Sequence, residues 1–368
     1  MKNTNIVIKT KEKKYNLLIG NNILPKTGIL IKNNLSNVKK IAIITDKNLP
    51  KIILKKLLSS IKNYDLNIFK IHSSEKIKNI NTANYLINEL LKNNFNRSDC
   101  VIALGGGIIG DLSGFVASLT KRGIRFINIP TTLLSQVDAS IGGKTGVNSK
   151  YGKNHIGSFY QPELVISDIS VLNFLPLREL ICGYAEILKH SIILDRKFFF
   201  WLFKNGKKII YKRDKKLIQI AIKKSCKIKS SIVKKDEKEK NLRMILNFGH
   251  TFGHAFEATK KFSKKINHGE AVLLGMMMAM EFSFKKKLLK EKDLLILKKH
   301  YFDLKLPMNI KNKFKKKEIM NLIYFMKNDK KNNEKSIKLI LLNKIGKVIK
   351  PTNVSISKVK NFLKFKLN

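Results

Sequence analysis

The chain has 368 residues, of which 43% are hydrophobic, so it is long enough for two domains with separate cores and is not disordered in composition. Its formal net charge is +48, from 74 Lys and Arg against 26 Asp and Glu, which raises the question of a nucleic-acid-binding protein. The lysines are spread over the whole chain, and no RNA- or DNA-binding motif with interleaved aromatic residues is present. We therefore expect non-specific attraction to polyanions but no specific nucleic-acid partner.

The sequence also argues against a membrane or an extracellular protein. The first 14 residues, "MKNTNIVIKTKEKK", lack the apolar stretch of a signal peptide, and the longest apolar run, 271–280, is too short to span a bilayer. Cys100, Cys182 and Cys226 have no metal-type spacing and suit a reducing compartment. We expect a soluble cytoplasmic protein without membrane contact.

The first half of the chain predicts an α/β domain. Two strands around a polar turn are predicted over 6–19, followed by strands at 39–45, 66–71, 99–104, 125–130 and 163–168, with a helix near 49–62. Strands that alternate with helical segments are typical of a mostly parallel, layered sheet.

After about residue 172 the apolar residues recur with a helical period. The segments 175–194, 216–233, 253–262 and 269–289 all show it. We therefore predict an α/β domain with an N-terminal hairpin over 1–172 and an all-α domain over 173–368.

A glycine turn lies between a predicted strand and a predicted helix, in "VIALGGGIIGDLSGFVASL" (101–119). Gly105, Gly106, Gly107 and Gly110 allow a ligand close to the backbone, and the start of the helix offers N–H groups to a phosphate. The pattern matches neither the G-x-G-x-x-G fingerprint nor a Walker loop. Its position after a buried strand favours a dinucleotide pyrophosphate site over a tight turn without a ligand.

A second glycine-rich stretch, 130–157, separates two predicted core strands and is interpreted as a long, irregular loop. It contains Lys144, Lys153 and Asn154, which suit a small anionic substrate, and long structured loops are usually functional. In a chain so rich in lysine, either lysine alone is also explained as a solvated side chain. Arginine is scarce and better suited to geometric roles; the arginines are Arg97, Arg122, Arg125, Arg178, Arg196, Arg213 and Arg243.

His250 and His254 are four residues apart in "NFGHTFGHAFEA" (247–258), so one ion could contact both on a helix. Thr251 follows the first histidine, so the H-E-x-x-H pattern of a zinc protease is absent. His268 comes after a helix break in "KKFSKKIN", and Glu186 lies in another predicted helix; two histidines, a carboxylate and an open position describe a catalytic zinc site. The same spacing is compatible with His254 and His268 as ordinary polar or capping residues.

Several motifs occur in a characteristic order along the chain: "GGGIIGDLSGF", "RGIRFINIPTTLLSQVDASIGGKTGVN", "GKNHIGSFYQP", "GYAEILKH", "NFGHTFGHAFEA" and "HGEAV". Together they resemble the 3-dehydroquinate synthases, sugar-phosphate cyclases of the shikimate pathway. The resemblance runs over nearly the whole chain, from the N-terminal hairpin to "MKNDKK".

The resemblance implies a Rossmann-like NAD-binding domain followed by a helical domain that carries metal and substrate residues. It implies a lyase that converts 3-deoxy-D-arabino-heptulosonate 7-phosphate into 3-dehydroquinate and phosphate, a step towards chorismate and the aromatic amino acids. NAD and a divalent metal, zinc or cobalt, are the implied cofactors. The reaction runs through transient oxidation of the C5 hydroxyl, phosphate elimination, re-reduction and an intramolecular aldol closure, and the implied assembly is a homodimer.

Carried over residue by residue, the resemblance implies three groups of site residues. The implied metal ligands are Glu186, His250 and His268. The implied substrate residues are His254, beside the metal, with Arg122, Asp138, Lys144, Asn154, Lys189, Lys229, Arg243, Asn247 and Lys330. The implied NAD contacts are Asp46, Asn48, Glu75, Lys78, Gly107, Ile108, Ile109, Gly110, Asp111, Thr131, Thr132, Lys144, Lys153, Val171, Leu172, Asn173 and Phe174.

Two other enzyme classes remain open. A sibling cyclase such as 2-deoxy-scyllo-inosose synthase would not need the full set of cationic residues, because its substrate lacks a carboxylate. An iron-dependent alcohol dehydrogenase would consume NAD stoichiometrically, whereas the cyclase reaction produces no net NADH.

Overall fold

The computed structural model describes residues 2–328 and 336–368. Up to residue 176 the strands are β1 (Thr4–Lys9), β2 (Lys14–Gly20), β3 (Lys40–Asp46), β4 (Asp65–Ile71), β5 (Cys100–Gly105), β6 (Arg125–Pro130), β7 (Lys144–Ser149), β8 (Gly152–Phe159) and β9 (Leu164–Asp168). The helices in this part are α1 (Thr27–Asn34), α2 (Lys51–Ser60), α3 (Ile80–Lys92) and α4 (Gly107–Leu119). The strands and the helix predicted in this half are confirmed within a few residues at their ends.

A seven-stranded sheet organises this part of the chain, in the order β1-β2-β9-β6-β5-β3-β4. β1 pairs antiparallel with β2, and the other neighbouring strands pair parallel. The chain adds β4 on one side of β3 and then β5 on the other side, so the strand order reverses between β3 and β5. Open α/β sheets bind their ligands at the carboxyl ends of the strands at such a switch point.

The central strands β3, β5, β6 and β9 are buried on both faces. β5 is buried along its whole length, as expected for a parallel strand that is covered on both sides. On one face α3 and α4 contribute Leu86, Leu112 and Phe115 to a core that also contains Val101 and Phe126. This core fixes the position of α4, and with it the glycine turn that precedes the helix.

After residue 176 the chain is mostly helical. The helices are α5 (Leu177–Leu194), α6 (Arg196–Ile210), α7 (Lys215–Lys235), α8 (His250–Thr259), α9 (His268–Lys285), α10 (Glu291–Asp303), α11 (Ile319–Lys327) and α12 (Ile356–Leu367). Short strands β10 (Ser336–Leu339), β11 (Leu342–Lys344), β12 (Lys347–Val348) and β13 (Thr352–Ser355) form two antiparallel pairs, β10 with β13 and β11 with β12. The prediction of an all-α second half missed these strands, because two to four residues are too few to show a period of two.

The chain divides into two compact units. One comprises Met1–Pro176 and Arg213–Lys238, and the other comprises Leu177–Lys212 and Glu239–Asn368. α7 therefore belongs with the sheet: Gln219 Nε2 donates hydrogen bonds to the carbonyls of Lys2 (3.0 Å) and Ile19 (3.3 Å). The predicted boundary at residue 172 assigned α7 to the second domain, whereas α7 packs in the first unit. Helical periodicity predicts that a helix forms but does not show which core it packs against.

The stretch 130–157 is not the irregular loop that its composition predicted. It contains a turn of π-helix, Ser135–Ala139, and the antiparallel hairpin of β7 and β8. Gly146 pairs with Gly157 across the hairpin, and a Cβ at Gly146 would lie 2.5 Å from the carbonyl oxygen of Ile156. These glycines permit two backbones to approach closely, whereas the sequence interpretation took them as loop residues.

Within residues 2–328 and 336–368, none of the helices is both long enough and apolar enough to cross a bilayer.

Candidate active site

The glycine turn lies at the switch point of the sheet, between the end of β5 at Gly105 and the start of α4 at Gly107. A Cβ on Gly105 would lie 2.6 Å from the side chain of Ile109, so the turn has no room for a larger residue there. Among the described residues no side chain caps the start of α4, which leaves the N–H groups of its first turn available to an anion. The turn therefore fits the pyrophosphate of a dinucleotide.

The segment that follows β4 makes two ion pairs with neighbouring segments of the same unit. The buried Lys78 places Nζ 2.6 Å from Asp111 Oδ2 in α4 and 2.5 Å from Asn154 Oδ1 in β8. Lys153 Nζ, also in β8, lies 3.1 Å from Glu75 Oε1. The structure thus brings together five of the residues that the sequence assigned to NAD and substrate.

The two carboxyl groups in this cluster have opposite pKa shifts. Burial raises the pKa of Asp111 above its ordinary value, although the adjacent Lys78 acts in the opposite direction. Burial also acts to raise the pKa of Glu75, but the charge of Lys153, a hydrogen bond from Asn148 and the charge of Lys78 outweigh it and lower the pKa. Asp111 therefore depends on Lys78 as its counter-ion, and Glu75 is held in its charged form.

The other predicted NAD residues of this unit lie near the same edge of the sheet. Asp46 ends β3, the strand next to β5, and its Oδ1 accepts the N–H of Asn48 at 2.9 Å. The N–H of Thr131, which follows β6, donates to the carbonyl of Gly105 at 2.9 Å, and Thr132 comes next in the chain. Parallel strands that end at one edge account for this convergence.

Lys144 begins β7 and is exposed. It lines a small cavity of about 10 Å³ together with Gly110 and Asp111, among other residues. Lys144 is therefore close to Gly110 and Asp111 of α4, and its predicted role in NAD and substrate binding stays a prediction.

The predicted NAD segment Val171–Phe174 lies in a short 3-10 helix, Ile169–Phe174, just after β9. Arg213, which sequence reasoning did not place in the site, donates hydrogen bonds to the carbonyls of Leu172, Asn173 and Leu175 at 3.0, 2.8 and 2.6 Å. The scarcity of arginine in this chain was the signal that could have found it.

Asp138 and Lys229 form a pair within the first unit. Lys229, on α7, is buried, and its Nζ lies 2.6 Å from Asp138 Oδ1 and 2.5 Å from the carbonyl oxygen of the same residue. A buried ammonium needs such a partner, because an isolated charge is expensive to desolvate. The pair thus fixes the side chain of Lys229.

Arg122 lies apart from the other predicted residues of its unit. It is exposed and follows α4 at the end opposite the glycine turn. With a rise of about 1.5 Å per residue, the length of α4 separates it from Gly107 by roughly 20 Å. The structure does not bring Arg122 together with the glycine turn, and its role in substrate binding stays a prediction.

The second unit contains a compact cluster of Glu186, His250 and His268, whose ligand atoms all lie within 4.8 Å of one another. Glu186 Oε1 is 3.7 Å from His250 Nε2 and 3.9 Å from His268 Nε2. Glu186 is almost fully buried, and among the described residues neither of its carboxylate oxygens has a hydrogen-bond partner, although Lys189 forms an ion pair with Oε2. A buried carboxylate without hydrogen bonds, facing two imidazole nitrogens, fits a divalent metal ion.

Small residues let the three helices that carry these ligands approach one another. A Cβ on Gly269, next to His268, would lie 2.2 Å from Cys182 Cα on α5. A Cβ on Gly275 of α9 would lie 2.1 Å from the carbonyl oxygen of Gly249, the residue that precedes α8 with a φ of 79°. Larger residues at these positions would separate the helices and the ligands with them.

The N-terminus of α9, and therefore His268, is held in place by a second set of contacts. Asn267 and Glu270 form a capping box at the start of the helix. The guanidinium of Arg178, at the start of α5, donates two 2.8 Å hydrogen bonds to the carboxylate of Glu270. Such a two-point contact fixes orientation as well as distance.

The histidine rings present Nε2 to the cluster because Nδ1 is used elsewhere. Nδ1 of His250 lies 3.3 Å from the carbonyl oxygen of Phe248, and Nδ1 of His268 lies 3.1 Å from Glu257 Oε2. A metal-binding histidine typically donates its other N–H to a carbonyl or carboxylate, which fixes the tautomer. Sequence reasoning missed Glu257, because its spacing from His268 gives no signal of this contact.

The pKa values of the two histidines move in opposite directions. Burial, with the neighbouring charge of Lys189, lowers the pKa of His250 well below its ordinary value. Burial acts to lower the pKa of His268 too, but the charge of Glu257 and its hydrogen bond outweigh it and raise the pKa. His250 is thus a neutral imidazole at neutral pH, the form that binds metal.

His254 is set apart from the three clustered residues. It is exposed on α8, and its ring lies edge-on to that of His250 with the centroids 5.2 Å apart. It is not one of the cluster whose ligand atoms converge. This placement agrees with an imidazole beside the metal that is open to a substrate.

The remaining predicted substrate residues of this unit are Lys189, Arg243, Asn247 and Lys330. Lys189 is buried on α5, one turn after Glu186. Arg243 is buried in the 3-10 helix Leu242–Asn247, and Asn247 Nδ2 donates to Glu239 Oε1 at 2.7 Å. Lys330 lies outside the described residues, so its predicted role stays a prediction.

The fold of this chain also occurs in solved enzymes. The chain is similar to 2-deoxy-scyllo-inosose synthase complexed with carbaglucose-6-phosphate, NAD⁺ and Co²⁺, with a TM-score of 0.89, 25% identity, and coverage of 99% of this chain and 100% of the other. It shares its fold with 2-epi-5-epi-valiolone synthase from Streptomyces hygroscopicus subsp. jinggangensis with NAD⁺ and Zn²⁺ bound, at a TM-score of 0.86 and 24% identity over 97% of this chain and 98% of the other. Solved sugar-phosphate cyclases thus share the fold of this chain.

Family models for the 3-dehydroquinate synthase N-terminal and C-terminal domains match residues 68–182 and 183–332. The chain belongs to the 3-dehydroquinate synthase family. It is 51% identical over 360 residues to the 3-dehydroquinate synthase of Pelagibacter ubique, with 98% of each chain covered. It is 39% identical over 371 residues to that of Bartonella tribocorum, again with 98% of each covered. The family and fold class predicted from the ordered motifs are confirmed.

Proposed function

We propose that the chain converts 3-deoxy-D-arabino-heptulosonate 7-phosphate into 3-dehydroquinate and phosphate, the reaction of the family to which it belongs. The observation that carries this proposal is the convergence of Glu186, His250 and His268, the three residues that the ordered motifs imply as metal ligands. The proposed enzyme is a phosphate-eliminating lyase that depends on NAD and a metal.

Glu186, His250 and His268 would hold the metal, which is zinc or cobalt by analogy with the related cyclases solved with Zn²⁺ and Co²⁺. When bound, the ion polarises the hydroxyl that is to be oxidised. Lys189 is buried against Glu186 and would place a positive charge beside the metal site. His254, exposed beside His250, would exchange a proton or hydrogen bond with the substrate.

The glycine turn, with Asp46, Glu75, Lys78 and Lys153, would hold NAD, which supplies the hydride acceptor and then the hydride donor when bound. The first-turn N–H groups of α4 suit the pyrophosphate, and the ionised Glu75 offers acceptor oxygens. The cofactor ends each turnover in its starting redox state, so these residues need to retain it and not to release it.

Cationic and amide side chains would bind the carboxylate and the phosphate of the substrate; they are Arg122, Lys144, Asn154, Lys229, Arg243 and Asn247. Charge-assisted hydrogen bonds from such groups are stronger than neutral ones and give orientation to an anion. Asp138 would act through Lys229, which it holds at 2.6 Å.

Two alternative activities belong to solved proteins of the same or a related fold. A sibling cyclase is represented by 2-deoxy-scyllo-inosose synthase, which has the same fold at 25% identity. An iron-containing alcohol dehydrogenase from Corynebacterium glutamicum has a related fold, with a TM-score of 0.69 at 14% identity. The cationic set favours a substrate that carries both a carboxylate and a phosphate, and neither alternative accounts for it.

The proposal is tested by phosphate release from purified protein. We expect release from the heptulosonate phosphate and not from glucose 6-phosphate, a requirement for NAD, loss of activity with EDTA, and recovery with Zn²⁺ or Co²⁺. Absorbance at 340 nm should show no net NADH. Phosphate release from glucose 6-phosphate alone would point to the sibling cyclase, and stoichiometric NADH would point to a dehydrogenase.

A homodimer and a cytoplasmic location remain proposals that follow from the sequence. Sedimentation of the purified protein would test the first and fractionation of the source cells the second.

A further inference from the structure

Asn148 occupies an irregular position in the hairpin of β7 and β8. Val147 pairs with Ile156, but the next paired residues are Ser149 and Gly152, so the register shifts at Asn148. Asn148 instead forms an isolated parallel bridge with Asn79, outside the hairpin. A bulge of this kind turns a residue away from its partner strand and redirects its side chain.

The backbone and side chain of Asn148 connect the hairpin to the segment after β4. Its N–H donates to the carbonyl of Lys78 at 2.7 Å. Its side-chain Nδ2 donates to Glu75 Oε2 at 2.8 Å and to the Glu75 carbonyl at 3.2 Å, while its Oδ1 accepts the N–H of Asn154 at 3.0 Å. Both ends of the amide are thus engaged, and the partners determine its orientation.

These contacts hold a strained residue. Asn154 has a φ of 55°, in the left-handed region, which Asn tolerates better than most residues with a Cβ but which is still sparsely populated. The hydrogen bond from its N–H to Asn148 stabilises this conformation, in which Asn154 Oδ1 contacts Lys78 Nζ. Strained backbone at a functional site persists only when its surroundings determine it.

The same contacts divide the oxygens of Glu75 between two partners. Oε1 pairs with Lys153 and Oε2 accepts from Asn148. Because Lys78 and Lys153 have long, flexible side chains, the fixed positions of Glu75 and Asn154 decide where the two ammonium groups lie.

We propose that Asn148 is a positioning residue that couples the segment after β4 to the hairpin, and so sets the places of Lys78, Lys153 and Asn154 for NAD and substrate. This inference rests on the proposed function, since it concerns the same site. Asn148 would contact neither ligand. Its chemistry is specific: a carboxylate at this position would face the carboxylate of Glu75, and an alanine would release both segments.

The test is a double-mutant cycle on the affinity of the full-length protein for NAD⁺, measured by calorimetry. Asn148→Asp should raise Kd about 10-fold or more, since it replaces a hydrogen bond to a charged group by repulsion. Glu75→Gln in that background supplies an amide N–H to the new carboxylate and should recover part of the loss. Asn148→Ala should weaken binding without recovery by Glu75→Gln.

Two controls separate positioning from folding. Ser149→Ala removes a neighbouring hydroxyl, which accepts the N–H of Tyr151 at 3.1 Å, and should leave Kd within about 2-fold. The unfolding midpoint without NAD should be similar in Ser149→Ala and Asn148→Asp. KM for the substrate should rise with Kd along the series, because Asn154 and Lys153 move together.

The inference is overturned if Asn148→Ala binds NAD⁺ within about 2-fold of the wild type, or if the effects of Asn148→Asp and Glu75→Gln simply add. The proposed function is judged separately, by phosphate release from the wild type. A wild type that binds NAD⁺ but releases no phosphate contradicts the proposed function, while the double-mutant cycle still tests the role of Asn148 in NAD⁺ binding. A wild type that does not bind NAD⁺ contradicts both the proposed function and the inference.

Discussion

At the scale of single residues, arginine and lysine do different work in this protein. Arg213 donates to three backbone carbonyls, and Arg178 makes two hydrogen bonds to Glu270. Arg125 similarly donates to the carbonyls of Ser36 and Ser98. A planar guanidinium contacts several acceptors at fixed angles. These arginines therefore hold neighbouring segments in position, whereas the abundant lysines mainly supply positive charge.

The roles of His250 and His254 can be separated by substitution. His250→Ala should lower the affinity for Zn²⁺ by more than the roughly 10- to 100-fold typical of losing an outer-shell partner. His254→Ala, one turn further along α8, is the matched control: it should retain Zn²⁺ but lose turnover, because its ring is outside the Glu186 cluster. Competition with a chelator measures the first quantity and phosphate release the second. Equal loss of Zn²⁺ in both variants would contradict the ligand assignment.

At the scale of elements, the packing of helices in the second unit buries a histidine that has no part in the proposed site. His300, on α10, is 1% exposed and its Nε2 lies 3.0 Å from the hydroxyl of Tyr184 on α5. Its ring stacks on Phe203 and lies edge-on to Phe199, both on α6. Burial lowers the pKa of His300 to about 4, despite the opposing charge of Asp303.

This burial makes the free energy of unfolding depend on pH. In the unfolded chain the histidine takes up a proton near pH 6.5, whereas the folded protein resists it until about pH 4, so stability falls as the pH decreases through this window. The shift is equivalent to a loss on the order of 3 kcal/mol. His300→Gln, which keeps a partner for Tyr184 but cannot titrate, should flatten this part of the profile in urea unfolding at pH 7, 6 and 5. His155→Gln, at an exposed position, is the control, and an unchanged slope in His300→Gln would contradict the argument.

At the scale of the whole molecule, the net charge of +48 acts on stability and not on the choice of fold. Like charges repel in the compact state, and this repulsion is screened over about 10 Å at 0.1 M salt and about 3 Å at 1 M. Exposed ion pairs such as Lys238–Glu12 contribute little to stability and weaken with salt. The repulsion between the many unpaired cations should therefore dominate the response to salt.

Added salt should accordingly stabilise the protein. We expect the midpoint of urea unfolding to rise between about 0.05 M and 0.5 M NaCl, because screening relieves repulsion in the folded state more than in the expanded one. Sucrose at matched osmolarity controls for exclusion of solutes from the surface. A midpoint that falls with NaCl would mean that specific ion pairs outweigh the net charge.

Much of the fold could be predicted because the signals are local. The apolar runs of β3, β5 and β6, the helical period of α5 and α9, and the glycine turn before α4 each follow from residues a few positions apart. The ordered motifs likewise predicted the family, and the match of both family models confirms that the chain belongs to it. These features depend on backbone preference and on turn chemistry, which short segments of sequence contain.

Only the tertiary structure decided which segments meet. The pairing of Gly146 with Gly157, the packing of α7 against the sheet unit, and the orientation of His268 by Glu257 all join residues whose spacing carries no signal. The motifs named Glu186 as a metal ligand by resemblance, but its approach to His250 and His268 depends on glycines that let three helices touch. Sequence patterns of period two or 3.6 describe one element at a time, whereas a site is made by the close packing of several.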